Sequence, residues 1–283
     1  MITRNAALPD AHAHETVLEP RTGWRSLGLG ELWGRRELLY FFVWRDLKVR
    51  YKQTAFGAAW AVMQPLLLMA VFSVSVGRLP NVAPAGVPYP LFVFVGLVPW
   101  TLFASSLIAA SNSLVAAEGI ITKVYFPRLL LPVAATGSYL IDFLISFAVL
   151  GLFLAYYGVS LSWAVLCLPL FVLMAVAAAL GVGVWLAAIN VRYRDVKYAV
   201  PFLVQLWLFS SPIVYSGTLV PNSLQPIYAL NPMKGVADGF RWALMGGPSP
   251  DALVLVSAAA TVVVLGSGLL YFRRVERSFA DVI

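Results

Sequence analysis

The chain has 283 residues, of which 60% are hydrophobic and only 12% are charged. A soluble protein of this size would expose too much apolar surface at that composition, so the sequence indicates an integral membrane protein. The net charge of +7 is no sign of nucleic-acid binding, because the cations cluster beside apolar runs rather than on one soluble domain. No nucleic-acid partner is therefore expected.

Residues 1–30 are polar and lack the apolar run of a cleavable signal peptide, so we expect them to form a flexible cytoplasmic tail. His12 and His14 lie in this tail. The sequence places no His, Cys or acidic cluster at metal-ligand spacing and has no phosphate-binding P-loop, so no metal site, catalytic residue or nucleotide site is predicted.

The stretch 31–54 predicts an amphipathic helix that lies at the membrane surface. At 100° per residue its apolar side carries Trp33, Leu39, Tyr40, Val43, Trp44, Leu47 and Tyr51. The other side carries Arg35, Arg45, Asp46, Lys48 and Lys52, with Phe41 and Phe42 among them. Aromatic residues on one face and cations on the other are typical of an interfacial helix; an ordinary helix of a soluble subdomain is the alternative.

Six apolar segments follow, at 55–76, 91–116, 130–156, 163–189, 198–215 and 253–272. A helix needs about 20 residues to cross a hydrocarbon core of about 30 Å. All six qualify, although the fifth is short and contains Pro201 and Pro212. With both termini inside, 17 Lys and Arg lie on the cytoplasmic side and 3 on the outside, which sets the orientation. The sequence thus predicts an all-α integral membrane protein with six transmembrane helices over 55–275 and a cytoplasmic C-terminus at 276–283.

The stretch 216–251 falls on the outer side and contains many Gly and Pro residues. Residues 233–245 still predict a short helix with Val236, Phe240 and Leu244 on one stripe, too short to span. We interpret it as a re-entrant element between spans five and six, because irregular backbone at membrane depth must line a cavity or be covered by protein. A plain surface loop is the alternative.

Asp142 is the only acidic residue within a predicted span. An intramembrane carboxylate costs about 2.5–3.5 kcal/mol to insert and usually faces the bundle interior. It could relay protons, but the spans offer no second ionisable group to receive one. A structural role, in which Asp142 pairs with a hydroxyl or with a cation near a helix end, is the favoured hypothesis.

Two cytoplasmic connectors, 118–128 and 190–196, combine charged and aromatic residues. From composition alone, each could be a charged cap on helix ends or a docking surface for a cytoplasmic partner.

Four motifs in order carry a resemblance to a known family. The first is 45–52 (RDLKVRYK) with Phe56-Gly57, Trp60 and Pro65; the others are 123–128 (KVYFPR), 190–196 (NVRYRDV), and 211–216 (SPIVYS) with 230–233 (LNPM). Over about 31–275 the chain resembles ABC-2 type permeases that export polysaccharides such as O-antigen, capsule or teichoic acid. It departs at Phe56, where that family usually carries Leu.

The resemblance implies a homodimer of this chain in the bacterial inner membrane, with two copies of a cytoplasmic ABC ATPase below it. ATP and Mg would be bound by that partner, no cofactor by this chain, and the substrate would be a lipid-linked polysaccharide taken from the inner leaflet. The implied ATPase-coupling residues are Glu118, Thr122, Lys123, Val124, Tyr125, Phe126, Arg128, Arg192, Arg194 and Asp195. The implied gate helix carries Tyr40, Trp44, Arg45, Asp46, Lys48, Arg50 and Tyr51.

The resemblance also implies that 216–251, with Asn231, Pro232 and Phe240, forms an outer gate. Aromatic rings can stack on sugar faces, so Trp60, Trp100, Phe103, Trp207 and Tyr215 are candidates for the path, with belt or packing roles as the alternative.

Two other functions stay open on the residues alone. One is an ABC-2 permease for a drug or lipid. The other is an ion-coupled carrier that uses Asp142, or a membrane-embedded enzyme. A carrier should show paired intramembrane charges or inverted repeats, and an enzyme should show clustered acids or His at one membrane face.

Overall fold

The structure is a computed structural model that describes residues 34–52, 54, 56–80, 82–84, 86–246, 249–276 and 279. The predicted tail and the first residues of the predicted 31–54 helix lie outside this description. Within the described ranges every regular element is helical, as the sequence predicts. The α-helices are α1 (Arg36–Tyr51), α2 (Ala59–Ser75), α3 (Tyr89–Ala116), α4 (Glu118–Ile121), α5 (Leu130–Tyr156), α6 (Leu168–Arg192), α7 (Val196–Phe209), α8 (Gln225–Tyr228), α9 (Pro232–Met245) and α10 (Leu253–Val275). Short 3₁₀ turns cover Trp163–Cys167, directly before α6, and Gly217–Leu219.

Four helical segments are long and apolar enough to cross a membrane, namely α3, α5, the 3₁₀ turn with α6 (Trp163–Arg192), and α10. They differ strongly in burial. In α3, 83% of the most apolar stretch is buried within the chain, against 17% in α10. Helix α3 is therefore the central helix, packed against α5 and α6, and α10 lies at the periphery.

The helices of the first and fifth predicted spans, α2 and α7, are apolar but shorter. The fifth was predicted to run to Tyr215, and this boundary is wrong because α7 ends at Phe209. The hydroxyls of Ser210 and Ser211 donate to carbonyls one turn back, and Pro212 cannot continue the backbone hydrogen bonds. The chain therefore turns within the predicted fifth span, just before the Pro212 that the sequence places there.

Helices α6 and α10 approach until backbone meets backbone. A Cβ built on Gly181 would lie 2.7 Å from the backbone nitrogen of Leu265, and one built on Gly268 would collide with the carbonyl oxygen of Gly181. Small residues at such crossings are common between membrane helices, since they allow close van der Waals packing without a hydrophobic driving force. Any larger residue at either glycine would push the two helices apart.

Helix α1 packs along α5, and its two buried residues, Phe42 and Leu47, come from the two sides of the amphipathic pattern. Phe42, placed among the polar residues, is 3% exposed, and its ring lies 5.4 Å from that of Phe126. Tyr40 and Trp44, placed on the apolar side, are exposed. Exposed aromatic residues on this side are what an interfacial helix presents to lipid, and the interfacial position stays a prediction. Arg50 lies on the side of α1 that packs on α5.

A buried apolar cluster lies at one end of the bundle. It joins Phe42 of α1, Ile121 of α4, Phe126, Val191 of α6 and Phe272 of α10. The predicted cytoplasmic elements therefore meet at a single end: the gate helix, the 118–128 connector, the end of α6 and the end of α10. The opposite end holds the 3₁₀ turn Gly217–Leu219, α8 and the start of α9.

Candidate gate and coupling sites

Asp142 of α5 is held by the end of α1, the helix that the resemblance implies to be a gate. Its Oδ2 lies 2.6 Å from Nη1 of Arg50, while the hydroxyl of Tyr51 donates a hydrogen bond to its Oδ1. The Arg50 and Asp142 side chains are 24% and 15% exposed, so the pair is mostly shielded from solvent. The sequence predicted a hydroxyl or a cation near a helix end as the partner of Asp142, and both kinds of partner are present.

Arg50 is fixed from two further directions. Its Nη2 donates to Oγ of Ser138 at 2.7 Å, and its guanidinium lies 3.6 Å from the centre of the Tyr139 ring. Stacking on an aromatic face and charge-assisted hydrogen bonds are the interactions in which arginine differs most from lysine. Ser138, Tyr139 and Asp142 lie within about one turn of α5, so together they form a receptor for the last turn of α1.

Tyr51 serves this arrangement as a proton donor. Burial raises the pKa of its hydroxyl to about 12, and the hydrogen bond to Asp142 acts in the same direction. The phenol therefore keeps its proton at every physiological pH and donates to Asp142.

A cavity of about 260 Å³ lies beside the ion pair, between α1, α2, α3 and α5. Besides Arg50 and Asp142, its polar and aromatic lining includes Trp60, Gln64, Thr101, Ser105 and Ser146. Trp60 is 49% exposed, and its ring and that of Phe56 are nearly perpendicular to each other. Of the aromatic residues predicted to line a path, Trp60 is the one that borders this cavity.

The 118–128 connector combines an exposed surface with a buried anchor. Helix α4 is a single turn, and the chain then exposes Val124 and Tyr125, at 58% and 79% of their surface. Phe126 points inward at 4% exposure and packs on the gate helix. The segment around Thr122 and Lys123 borders a second, open cavity of about 220 Å³. Such a loop offers a partner an aromatic surface that is rigidly attached to α1.

Arg128 ties the same connector to the end of α10. Its backbone N–H donates to the Glu276 carboxylate at 3.2 Å, and its Nη1 donates to the Glu276 carbonyl at 2.5 Å. Glu276 also forms an ion pair with Arg273 at 3.0 Å. The sequence did not predict a role for Glu276, because the only signal there was a charge near the C-terminus.

The second connector, between α6 and α7, presents an exposed charged turn. Arg192, Tyr193, Arg194 and Asp195 are all exposed, and the guanidinium of Arg192 lies 5.6 Å from the Tyr193 ring centre. Because α6 ends in the same apolar cluster as α4, this turn faces the same side of the molecule as Tyr125.

The remaining gate-helix residues make contacts within α1. Arg45 and Asp46 pair at 2.8 Å, and the Lys48 ammonium lies 5.2 Å from the centre of the Trp44 ring. These pairs leave Tyr40, Trp44 and Lys48 on the exposed side of the helix.

At the opposite end, Asn231 is a hub of hydrogen bonds. Its Oδ1 accepts from Nε1 of Trp207 at 2.9 Å and from the Met233 N–H at 3.0 Å, and its Nδ2 donates to Oγ of Ser211 at 2.8 Å. Asn231 therefore caps the N-terminus of α9 and attaches it to the end of α7, directly before the buried Pro232.

Helix α9 forms where the sequence predicts a short helix. Val236 and Phe240 are fully buried and Leu244 nearly so, which confirms the predicted stripe. The helix ends at Gly246, whose φ of 67° is left-handed. Arg241 was missed: it donates to the carbonyl of Ile213 at 2.8 Å and lies 3.8 Å from the Phe92 ring centre, so it braces the turn after α7.

The other aromatic candidates are placed unequally. Trp100 and Phe103 are 3% and 0% exposed and pack in the core, where Phe103 meets the edge of Trp207. In this conformation neither can touch a passing polymer. Tyr215 is half-buried, and its hydroxyl lies 2.8 Å from that of Tyr228, which joins the turn after α7 to α8.

Comparison with known proteins identifies the family. The model of the ABC-2 type transporter family matches residues 37–245. The chain is 32% identical to the O-antigen export system permease protein RfbA of Myxococcus xanthus, over 89% of this chain and 98% of that protein. It is 29% identical to a protein of the same name from Klebsiella pneumoniae, over 87% and 95%. It is 21% identical to the polysialic acid transport protein KpsM of Escherichia coli, over 83% and 92%. Since the family model covers most of the chain, and a relative above 30% identity spans nearly all of it, this protein belongs to the ABC-2 type transporter family.

Proposed function

We propose that this chain, the transmembrane subunit of a polysaccharide ABC exporter, forms with a second copy of itself the path by which a lipid-linked polysaccharide leaves the cytoplasmic leaflet. The observation that carries the proposal is the likeness to O-antigen export permeases along nearly the whole chain. The pairing of Asp142 with Arg50 adds support. A carboxylate that is held in an ion pair has a structural role, whereas an ion-coupled carrier needs a carboxylate that is free to bind the ion.

The energy for transport comes from a separate ABC ATPase, which binds ATP and Mg. Two copies of that ATPase dock on the exposed surfaces around Tyr125 and Arg192. Support comes from the shared apolar cluster, in which Phe126 packs on Phe42 of the gate helix. Because of this contact, a displacement of the connector by the ATPase would also displace α1. The coupling surface and the gate are therefore one mechanical unit.

The membrane arrangement follows from helix length and charge. The four long apolar helices, together with the shorter α2 and α7, form six spans with both termini in the cytoplasm. Helix α7 completes its span through the turn that follows it, whereas helix α9, which also has 14 residues, begins and ends on the outer side and forms a re-entrant outer gate.

The proposal is tested by removing the gene from the cell that carries it and measuring surface polysaccharide. Loss of the surface glycan, with build-up of its lipid-linked form inside, is the expected result. Restoration by the wild-type chain, but not by a chain with Tyr125→Asp, would link export to ATPase docking. An unchanged cell surface would refute the function.

Stoichiometry is tested separately on the purified complex. Native mass spectrometry should find two copies of this chain with two copies of an ABC ATPase. A monomer that transports without ATP would contradict the proposed partners.

A further inference from the structure

We propose that the cavity beside Arg50 and Asp142 is a binding site for one sugar ring of the transported polymer. The inference rests on the proposed function and adds to it the position at which this chain first holds the glycan.

Two polar side chains that line the cavity are accessible and make no side-chain hydrogen bond within the described part of the chain. Gln64 lies in the apolar helix α2, and Ser105 lies in α3. Among the described residues, neither the Gln64 amide nor the Ser105 hydroxyl has a hydrogen-bond partner. Gln64 is exposed and Ser105 is partly buried, so both groups are open to a ligand or to water at the cavity. By contrast, the Ser146 hydroxyl in the same cavity donates to the carbonyl of Ala61.

The charge of the cavity selects a neutral ligand. Arg50 and Asp142 both line it, but they neutralise each other at 2.6 Å. An anionic group would have to break this pair before it could bind Arg50. A sugar hydroxyl would not, because a carboxylate has about four acceptor sites and a guanidinium five N–H donors, and only some of them are used here.

Trp60 supplies the apolar half of a sugar site. It is 49% exposed, borders the cavity, and is oriented by an edge contact with Phe56 whose ring centres are 5.8 Å apart. Three other aromatic rings line the cavity. Tyr139 is covered by the Arg50 guanidinium, the Tyr51 hydroxyl is bound to Asp142, and Phe143 is 7% exposed and stacks on Phe147. Trp60 is therefore the available platform. A flat apolar ring opposite amide and hydroxyl groups matches the two surfaces of a sugar, its C–H face and its hydroxyl edge.

Size limits the occupant. The cavity holds about 260 Å³, just below the lower end of about 300 Å³ for pockets that enclose drug-sized ligands. One ring fits, but a folded stretch of polymer does not. The site therefore holds a single sugar unit of the polymer beside the gate helix.

Photocrosslinking in the native cell tests the site with the cell's own polysaccharide as the probe. A diazirine amino acid replaces Gln64 in the full exporter, and the matched control carries it at Leu144. Leu144 is 61% exposed and points about 200° away from Asp142 on α5. On illumination during export, we expect a glycan adduct at position 64 and none above background at position 144. If position 64 does not accept the probe, position 105 borders the same cavity and replaces it.

Export rates give a second readout. Ser105→Ala should slow export about three- to tenfold, the effect of losing one hydrogen bond to the substrate. The same change at Ser267, which lies exposed on α10 outside the cavity, should leave the rate unchanged.

Each result has a defined meaning. Export that depends on this chain, with no glycan adduct at 64 or 105 or with lipid adducts alone, would overturn the sugar site and leave the proposed function standing. Surface polysaccharide that does not depend on this chain would overturn both.

Discussion

Replacing Asp142 with Asn should release the gate helix from α5. The substitution keeps the size of the side chain but removes the charge that neutralises Arg50, 2.6 Å away. Breaking a fully buried ion pair costs about 3–5 kcal/mol and an exposed one about 0–1 kcal/mol. With the side chains 24% and 15% exposed, we expect an intermediate loss. A loss of about 2 kcal/mol corresponds to a roughly thirtyfold shift toward detached α1.

Hydrogen exchange of the purified complex, without nucleotide, measures this shift. Amides of α1 should exchange up to about thirtyfold faster in Asp142→Asn, while amides of the central helix α3 keep their protection. Asp46→Asn is the matched control, because the Asp46 carboxylate pairs only with Arg45 of the same helix among the described residues. That variant should leave exchange unchanged.

A charge exchange completes the test. Arg50→Asp combined with Asp142→Arg should recover part of the α1 protection that each single variant loses. Unchanged exchange in Asp142→Asn, or an equal effect of Asp46→Asn, would refute the reasoning that this ion pair fastens the gate. The same variant also addresses proton transport, since normal export by Asp142→Asn would exclude a relay through this carboxylate.

Three further variants probe other parts of the molecule. Gly239→Ala should destabilise the protein by about 1–3 kcal/mol, since a Cβ there would collide with the ring of Phe171. Its thermal midpoint in detergent should therefore fall. Gly151→Ala is the control and should show no fall, because a Cβ at Gly151 would have no neighbouring side chain within 4 Å. Asn231→Ala should cost about 1–2 kcal/mol by uncapping α9, with a lower midpoint in the same assay. Tyr125→Ala, at a 79% exposed position, should keep the midpoint but weaken ATPase binding about tenfold or more, as measured by titration of the purified partner; unaltered binding would remove Tyr125 from the docking surface.

The sequence predicted the elements well where a pattern is local. Apolar length located the helices, and the stripe of Val236, Phe240 and Leu244 located α9, because both signals depend on neighbours within a few turns. Where a helix ends depends on contacts from elsewhere. The end of α7 is fixed in part by the hydrogen bond from Asn231 to Ser211, and no pattern within the fifth span records that contact.

The site was predicted in kind but not in detail. An unaccompanied carboxylate in a span predicts a partner, and one is present. Its identity was out of reach, since Arg50 and Asp142 are 92 positions apart and only the packing of α1 on α5 brings them together. The same packing explains why Phe42, which lies among the polar residues of the helical pattern, is buried. Helical periodicity records no contact between helices, so it could not identify the partner of Arg50.

The crossing of α6 and α10 limits how the transporter can move. At Gly181 and Gly268 no side chain separates the two helices, so neither can slide past the other without a steric clash. They should move as one rigid body through the transport cycle. Bending would then be concentrated at the ends of this body, in the turn at Arg194 and at the hydrogen bonds between Arg128 and Glu276.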